Sequence, residues 1–533
     1  MRGECSAVPP IEIDECKLDE IFSRLDQCRF PGAAVGIAVQ GKPVYRRGFG
    51  LANMEAALGL TTSTRMRIGS TTKHMTSLAY MLLCEDGAAA MDDTVGKYLP
   101  ELHRLTHAVT MRQLMGHLSG LRDVFEISWQ LSGTGHAVSS TDLLSHYRDI
   151  DSVNAAPGTV WSYNNGAYLI LSAVIEKITG QALESVLRER IFEPIGMFDT
   201  LLRRRDSDFV PNSATLHTSK PTQRFEKAYL GLELAGEGGV VTTVDDMLRW
   251  LAHMDSPSIG SEATWKTLRT PQRLANGSET GYGLGLKMGR YRGADTLFHD
   301  GGVLGGNCNM LKVPAAGLDV VIILNRDDIL GSNITARILD ACLPDLESTK
   351  AKFDRPFVRG TFVSPKTGRV ITLFRENETQ MVSIDAYDWP FVYEEDGVLR
   401  PSPIWNHMQL GVVLEGNRVC PSAIRFDDFG NVDELVAVEP PQFVNWARII
   451  GRYHSSTVGA SAAVTAIDET LTLNTQGWFG AVTYKLEIVA GNIWRARSNS
   501  AIPWDAMLTF GEDGRSFLFT TMRTKALTFH RDG

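Results

Sequence analysis

Hydrophobic and polar positions change their period along this chain near residue 345. Before that point, helical and strand periods alternate. Residues 17–28 are amphipathic as a helix would be, and further helices are predicted at about 71–86, at about 166–179 and at 332–343. Glycine directly follows the second and third of these segments, as is typical of a helix end.

Strand patterns lie between the helical segments of this first part. Residues 33–53 alternate around a turn at 40–43, which predicts a hairpin. The runs TLFHDGG, NCNMLKV and LDVVIILN predict three successive strands just before the helix at 332–343. A mixed α/β domain is therefore expected up to about residue 345.

The helical period disappears after residue 351. Short apolar or alternating runs follow, separated by Gly, Asn and Asp, which is typical of antiparallel β structure. A Gly-x-aromatic-x-Ser sequence occurs at Gly360 and again at Gly451, so the region contains two copies of about 90 residues each. Two small barrels, at 351–445 and 446–533, are the simplest prediction.

Composition and charge exclude several classes of protein. The chain has 533 residues, 43% of them hydrophobic and 22% charged, as expected of a globular protein with several domains. A net charge of −9 without basic runs argues against nucleic acid or an anionic membrane as partner. No apolar window of 18 residues and no amino-terminal apolar core occur, so neither a membrane span nor a signal peptide is predicted.

Cysteine usage bears on the compartment. The seven cysteines are scattered and form no C-x-x-C pair. This pattern predicts a reducing compartment, interpreted as the cytoplasm, and gives no zinc site.

Ser70 and Lys73 are the first candidates for chemistry. They stand three residues apart at a predicted helix start, which places both side chains on one face. A serine hydroxyl needs a base to become a nucleophile, and desolvation or positive potential makes lysine such a base. The first turn of a buried helix supplies that potential, together with free N–H groups for an oxyanion. One such spacing is expected by chance, so a capping serine beside a solvated lysine stays an alternative.

Two further short motifs follow along the chain. Tyr163 and Asn165 precede a predicted helix, and His299 and Gly301 lie on a predicted strand. Each has an ordinary structural alternative, namely a packed tyrosine ring and a hydrogen-bonded strand histidine. Their order after Ser70 and their placement favour a common function.

Taken in this order, the motifs resemble those of the penicillin-recognising serine hydrolases, in their class C β-lactamase-like group. The similarity covers roughly residues 20–345. Such a domain followed by two lipocalin-like barrels resembles the bacterial D-aminopeptidases. The resemblance implies an α/β (α+β) β-lactamase/transpeptidase-like domain at 1–345, followed by antiparallel eight-stranded barrels at 351–445 and 446–533.

The same resemblance implies roles for the motif residues. Acyl transfer would pass through an ester on Ser70, and Lys73 with Tyr163 would carry the proton. Asn165 would orient Lys73 and the substrate amide. Backbone N–H groups of Ser70 and Gly302 would form the oxyanion hole.

His299 and its neighbours bear on the substrate. Penicillin-binding members have a lysine at this position that helps to hold a carboxylate, whereas a largely neutral histidine is a weaker anion anchor. A substrate without a carboxylate at that end is therefore expected, with Gly301 among the residues that bind it. Asp300 departs from the small residue expected there, and strand alternation predicts that it points away from the pocket.

Two other segments bear on the position of the active site. A literal K-T-G at 366–368 falls in the predicted first hairpin turn of the first barrel, and we reject it as a catalytic motif. The family resemblance implies instead that a loop of the last barrel reaches the active-site mouth. The best candidate is RARSNSAIPW at 495–504, with the predicted substrate-binding residues Arg497, Asn499 and Trp504.

The predicted function is release of N-terminal D-amino acids, D-alanine above all, from peptides, amides or esters. An esterase or β-lactamase-like hydrolase is the first alternative, and a non-catalytic ligand-binding protein is the second. No metal or organic cofactor is needed for this chemistry. The predicted partner is a small peptide or amino-acid amide, without nucleic acid or membrane, and the prediction allows a homodimer.

Overall fold

The computed structural model describes residue 11 and residues 13–220, 224–343, 345–347, 356–402, 408–416, 419–440, 446–467, 470–498 and 504–533. The described residues divide into two compact units. The first unit contains those of 1–93, 171–272 and 281–349, and the second contains those of 94–170, 273–280 and 350–533. Each unit is described by itself below.

Among the described residues, the α-helices lie in the first 343 positions, as the period of the sequence predicts. They are α1 Glu15–Phe22, α2 Lys73–Glu85, α3 Val95–Tyr98, α4 Met111–Met115, α5 Val124–Ser132, α6 Ser140–Ser145, α7 Asn165–Thr179, α8 Leu183–Leu187, α9 Val244–Asp255, α10 Glu262–Arg269 and α11 Gly331–Cys342. None of the helices in the described ranges combines the length and the apolar character that a membrane crossing requires. The helices expected at about 71–86, about 166–179 and 332–343 are confirmed as α2, α7 and α11.

The strands of the same part are short except in one sheet. They are β1 Ala33–Val39, β2 Lys42–Phe49, β3 Leu51–Asn53, β4 Leu58–Gly59, β5 Met66–Arg67, β6 Leu201–Leu202, β7 His217–Ser219, β8 Phe225–Lys227, β9 Val240–Thr242, β10 Lys287–Tyr291, β11 Ala294–Val303, β12 Gly306–Val313 and β13 Leu318–Leu324. The main sheet has the order β10-β11-β12-β13-β1-β2, with antiparallel neighbours throughout. The predicted hairpin and the three predicted strands are confirmed within it.

One face of the main sheet packs against α1 and α11. Phe298 of β11 belongs to the same buried cluster as Phe22 of α1 and Ile338 of α11. Successive side chains of a strand point to opposite faces. Asp300 therefore shares the face of Phe298, whereas His299 and Gly301 face the other side.

Two closed eight-stranded barrels complete the second unit; the repeat predicts their number and the family resemblance predicts their eight strands. The first contains β14 Gly360–Val363, β15 Val370–Glu376, β16 Thr379–Ile384, β17 Tyr387–Tyr393, β18 Leu399–Pro401, β19 Leu410–Glu415, β20 Ala423–Asp428 and β21 Asn431–Val438. The second contains β22 Gly451–Ser455, β23 Ala460–Ile467, β24 Thr470–Gln476, β25 Ala481–Ala490, β26 Ile493–Ser498, β27 Ala506–Phe510, β28 Ser516–Thr520 and β29 Leu527–Arg531. Alternation of buried and exposed residues, clearest in β25, supplies the barrel interiors.

The K-T-G sequence at 366–368 lies in the turn between β14 and β15. There the Ser364 hydroxyl donates to Asp433 Oδ1 at 2.6 Å, and the Thr367 hydroxyl donates to Asp433 Oδ2. Its predicted place in the first hairpin turn of the first barrel is confirmed, and these bonds tie that turn to β21. The predicted domain boundaries stay a prediction, since the division into units follows a different line.

Candidate active site

Ser70 lies in a 3-10 turn, Gly69–Thr72, that leads directly into α2. Lys73, the first residue of α2, is fully buried. Its Nζ donates a hydrogen bond to Ser70 Oγ at 3.0 Å and another to the carbonyl oxygen of Glu237 at 2.7 Å. The spacing of three residues thus brings an amine and a hydroxyl into direct contact, as general base catalysis requires.

Strand β11 lies against this turn so closely that only glycine fits. A Cβ on Gly301 would lie 1.7 Å from the Ile68 carbonyl oxygen, and one on Gly69 would lie 2.8 Å from Gly302 N. Gly69 also has a φ of +52°, in the left-handed region that favours glycine. The turn that carries Ser70 and the backbone of Gly302 therefore meet in one place, which fits the expected pair of oxyanion donors.

His299 is fully buried on the face of β11 that looks toward the Ser70 turn. Its Nε2 lies 3.1 Å from Tyr282 Oη. Burial lowers the pKa of His299 well below its ordinary value, and the positive charges of Lys287 and Lys73 act in the same direction. The imidazole is therefore neutral near pH 7 and offers no positive charge to a carboxylate, which agrees with the expectation from the sequence.

Asp300 points to the opposite face, as strand alternation predicts. Its Oδ2 accepts a hydrogen bond from Lys287 Nζ at 3.1 Å, and its Oδ1 accepts one from Asn309 Nδ2 at 2.7 Å. The negative charge that Asp300 brings in place of a small residue is thus paired with Lys287, on the face of the sheet that packs against α1 and α11.

Tyr163 and Asn165 belong to the second unit, where Asp123 holds the start of α7. The Asp123 carboxylate accepts from the backbone N–H groups of Asn165 and Gly166, each at 3.1 Å, in the manner of a helix cap. The ring of Tyr163 lies 4.2 Å from that of His117, measured between centroids. Both predicted residues are thus positioned by contacts to residues 117–123.

Arg523 is a residue that the sequence analysis missed. It lies in the turn between β28 and β29, and its guanidinium stands 4.9 Å from the centroid of the Tyr163 ring and 5.3 Å from that of Trp504. Its Nη1 lies 3.5 Å from Asp123 Oδ2. The last barrel therefore places a cation over a predicted catalytic tyrosine, and no local sequence pattern around Arg523 indicates this.

Fully buried Glu126 of α5 holds that turn. Its Oε2 accepts hydrogen bonds from the hydroxyls of Thr521 and Thr524, both at 2.7 Å, and its Oε1 accepts one from Arg523 N at 3.3 Å. Two buried carboxyls therefore hold Arg523: that of Asp123 lies beside its guanidinium, and that of Glu126 accepts from its backbone N–H group.

The expectation of a loop beginning at residue 495 is wrong, because 495–498 form the end of β26. Arg497 lies on that strand and forms ion pairs with Glu487 at 2.5 Å and Asp505 at 3.3 Å. Asn499 falls outside the described residues. Trp504 lies 6.2 Å from Trp129, ring to ring, so it does contact the α5 region.

The structure thus collects the predicted residues in two groups. Within the first unit, the Ser70 turn meets β11, which carries the third motif. Within the second unit, the rings of Tyr163 and Trp504 both lie close to the Arg523 guanidinium. Among the residues that the structure describes, no group of three or more His, Cys, Asp or Glu could hold a metal ion.

An antiparallel sheet whose strand β11, with His299 and Gly301, lies against a turn with Ser70 and Lys73 defines a β-lactamase-like fold. Two barrels are added to it. The family model described as Beta-lactamase matches residues 18–343. The chain therefore belongs to the beta-lactamase family.

Known relatives extend this comparison. A protein of Brucella canis named D-aminopeptidase is 28% identical over 351 residues, which are 64% of this chain and 65% of that protein. The match thus spans less than two thirds of that curated relative. The octameric penicillin-binding protein homologue from Pyrococcus abyssi is 19% identical, with a TM-score of 0.57 over 93% of this chain and 100% of that one. D-amino acid amidase from Ochrobactrum anthropi SV3, complexed with L-phenylalanine amide, is 22% identical, with a TM-score of 0.53 over 61% of this chain and 97% of that one. These two structures support the fold.

Proposed function

We propose that this protein is a serine hydrolase that releases N-terminal D-amino acids, D-alanine above all, from amides, peptides or esters. The observation that carries the proposal is the partly buried contact between Lys73 Nζ and Ser70 Oγ, directly beside the glycines of β11. The name of the Brucella relatives supports the substrate class.

The chemistry begins with proton transfer from Ser70 Oγ to neutral Lys73 Nζ. Ser70 Oγ then attacks the substrate carbonyl carbon, and the backbone N–H groups of Ser70 and Gly302 stabilise the oxyanion. The proton passes from Lys73 to the leaving amine as the carbon–nitrogen bond breaks, which leaves an ester on Ser70. Water then attacks the ester carbonyl carbon and gives a proton to Lys73, the bond between that carbon and Ser70 Oγ breaks, and the D-amino acid leaves as its carboxylic acid while Lys73 returns the proton to Oγ.

Tyr163 and Asn165 complete the proposal on the strength of their place in the motif order. Tyr163 would relay the proton together with Lys73, and Asn165 would orient the amine and the substrate amide. The cap that Asp123 supplies to α7 supports such a role, because it fixes the backbone at Asn165.

Neutral His299 bears on the choice of substrate. Without a positive charge in the third motif, a substrate that lacks a carboxylate at that end is favoured, such as D-alanine amide. The same neutrality favours an uncharged ester, so an esterase is the second candidate function.

A panel of four substrates separates these candidates: D-alanine amide, L-alanine amide, p-nitrophenyl acetate and a chromogenic cephalosporin. We expect turnover of D-alanine amide well above that of its L isomer, and none by a Ser70→Ala variant. Faster turnover of the acetate or the cephalosporin would indicate the esterase or β-lactamase-like function instead. Failure with all four would favour the non-catalytic alternative.

Location in the cytoplasm is part of the proposal. It is supported by the described cysteines, which are free thiols: Cys16, Cys28, Cys84, Cys308, Cys342 and Cys420. Subcellular fractionation tests it. The homodimer stays a prediction, which sedimentation analysis would check.

A further inference from the structure

Glu237 is a buried acid next to the catalytic lysine. It lies between two glycines before β9, and its carbonyl oxygen accepts from Lys73 Nζ at 2.7 Å. Only 3% of the residue is exposed. Side-chain Oε1 accepts from Ala235 N at 2.6 Å, whereas Oε2 has no hydrogen-bond partner among the described residues. A buried carboxyl oxygen without a partner is costly, so a structural role alone explains it poorly.

Two cations of the first unit, Arg204 and Lys73, act on the Glu237 carboxyl. Arg204 is already held by two other carboxylates, those of Glu176 and Glu184, each at 2.5 Å. Lys73 is the remaining cation that acts on Glu237. Burial raises the pKa of Glu237 to about 7, while the Ala235 N–H group and the charge of Lys73 act in the opposite direction.

Two histidines close to Lys73 add no positive charge beside it. Burial lowers the pKa of His74 to about 3 and that of His299 well below its ordinary value. Both rings are therefore neutral over the range in which a hydrolase works. The carboxyl of Glu237 is a buried acid of the first unit whose negative charge favours an ammonium on Lys73.

We propose that Glu237 is a positioning residue that sets how readily Lys73 gives up its proton. An ionised Glu237 carboxylate favours the ammonium form of Lys73, and a neutral Glu237 favours the amine that accepts the proton of Ser70. This inference rests on the proposed function. It adds an electrostatic control of the base by a residue whose backbone carbonyl oxygen already accepts a hydrogen bond from Lys73 Nζ.

The test is the pH dependence of Ser70 acylation by p-nitrophenyl acetate, followed by stopped-flow kinetics and intact mass. Glu237→Gln removes the negative charge and keeps the shape. We expect the acid limb of its profile to move to lower pH by at least about one unit, since an opposite charge nearby has an effect of that size. On the acid side, each unit of displacement corresponds to an about tenfold higher relative rate.

Two further variants make the test specific. Glu233 lies a few residues before Glu237, and its buried carboxylate pairs with Arg205. The acid limb of the Glu233→Gln profile should stay in place. Glu237→Asp keeps a carboxylate at a changed distance, so its limb should lie between those of the wild type and Glu237→Gln. Glu237→Asp also provides the comparison if Glu237→Gln does not fold.

Contradictory outcomes are distinguishable. A uniform loss of rate in both Glu237 variants, with the limb unmoved, would overturn the control of Lys73 and leave a structural role. Wild-type protein that shows no acylation of Ser70 at any pH would overturn the proposed function, and this inference with it.

Discussion

At the scale of single residues, the account depends on the contact between Lys73 and Ser70. Lys73→Ala and Tyr163→Phe should each slow hydrolysis of D-alanine amide by at least about a hundredfold, the usual contribution of a positioned acid or base. If the two side chains act as one proton-transfer unit, the double variant should be little slower than the slower single one. Steady-state rates of the three variants decide this, and additive losses would mean that Tyr163 is only structural.

His74, the residue after Lys73, predicts a pH-dependent stability. It packs against Trp250, and neither ring nitrogen has a hydrogen-bond partner among the described residues. Burial lowers the pKa of His74 from 6.5 to about 3. Below about pH 6.5, His74 is protonated in the unfolded chain but stays neutral in the folded chain. Its contribution to the free energy of unfolding is therefore fully present above pH 6.5 and is lost as the pH falls toward 3.

His74→Leu should remove that dependence. Between about pH 7.5 and about pH 5, the wild type should lose on the order of 2 kcal/mol more free energy of unfolding than the variant does. Urea denaturation at the two pH values measures this. A matched change at His454, an exposed residue of β22, should leave the wild-type dependence intact. Equal pH dependence in His74→Leu and wild type would show that His74 can be protonated in the fold.

The sequence predicts part of the site at this scale and misses the rest for a physical reason. Ser70 and Lys73 meet through local helical spacing, which the sequence carries. Glu237 approaches Lys73, and Arg523 approaches Tyr163, only through tertiary contacts between distant parts of the sequence, and the bond from Lys73 to Glu237 spans a separation of 164 residues. No periodicity or spacing indicates such a contact.

At the scale of elements, the close approach of β11 to the Ser70 turn makes Gly301 essential. A Cβ there would overlap the Ile68 carbonyl oxygen, so Gly301→Ala must displace the strand or the turn. We expect a lower melting temperature, corresponding to about 1–3 kcal/mol, and slower acylation of Ser70. Gly302→Ala is the stability control, because its Cβ would meet no described atom within 4 Å. An unchanged melting temperature in Gly301→Ala would contradict the packing described here.

The β28–β29 turn gives a second prediction at this scale. Arg523→Ala removes the guanidinium over Tyr163 and should slow hydrolysis of D-alanine amide roughly threefold to thirtyfold, since such cation contacts are worth up to about 2 kcal/mol. Arg452→Ala removes an exposed arginine of β22 in the same barrel and should leave the rate unchanged. Equal effects in both variants would remove Arg523 from the site.

The order of helices, hairpin and barrels was predictable because each has a period of its own. The 495–504 segment was not, because the charged outer face of a barrel strand resembles a polar loop. Arg495 and Arg497 alternate with Ala496, which is fully buried. Arg495 and Arg497 both pair with Asp505 on the outer face of the barrel. Because of these two charges, the sequence of this strand has the composition of a polar loop.

At the scale of the whole molecule, the barrels share a compact unit with residues 94–170, which the sequence assigns to the catalytic domain. Glu126 of α5 depends on hydroxyls of the last barrel, and the side-chain oxygen of Tyr484 contacts Gln130. Such contacts join segments about 350–400 residues apart, so no sequence pattern indicates them. The last barrel is thus tied to the polypeptide that carries Tyr163 and Asn165.

The most direct test of the account is to trap the acyl-enzyme on the full chain. The protein is mixed with the p-nitrophenyl ester of D-alanine or L-alanine, quenched in acid and analysed by intact mass and peptide mapping. The account predicts a D-alanyl adduct on Ser70, much less of the L-alanyl adduct, and neither in Ser70→Ala. An adduct on another residue, or hydrolysis that survives in Ser70→Ala, would contradict it.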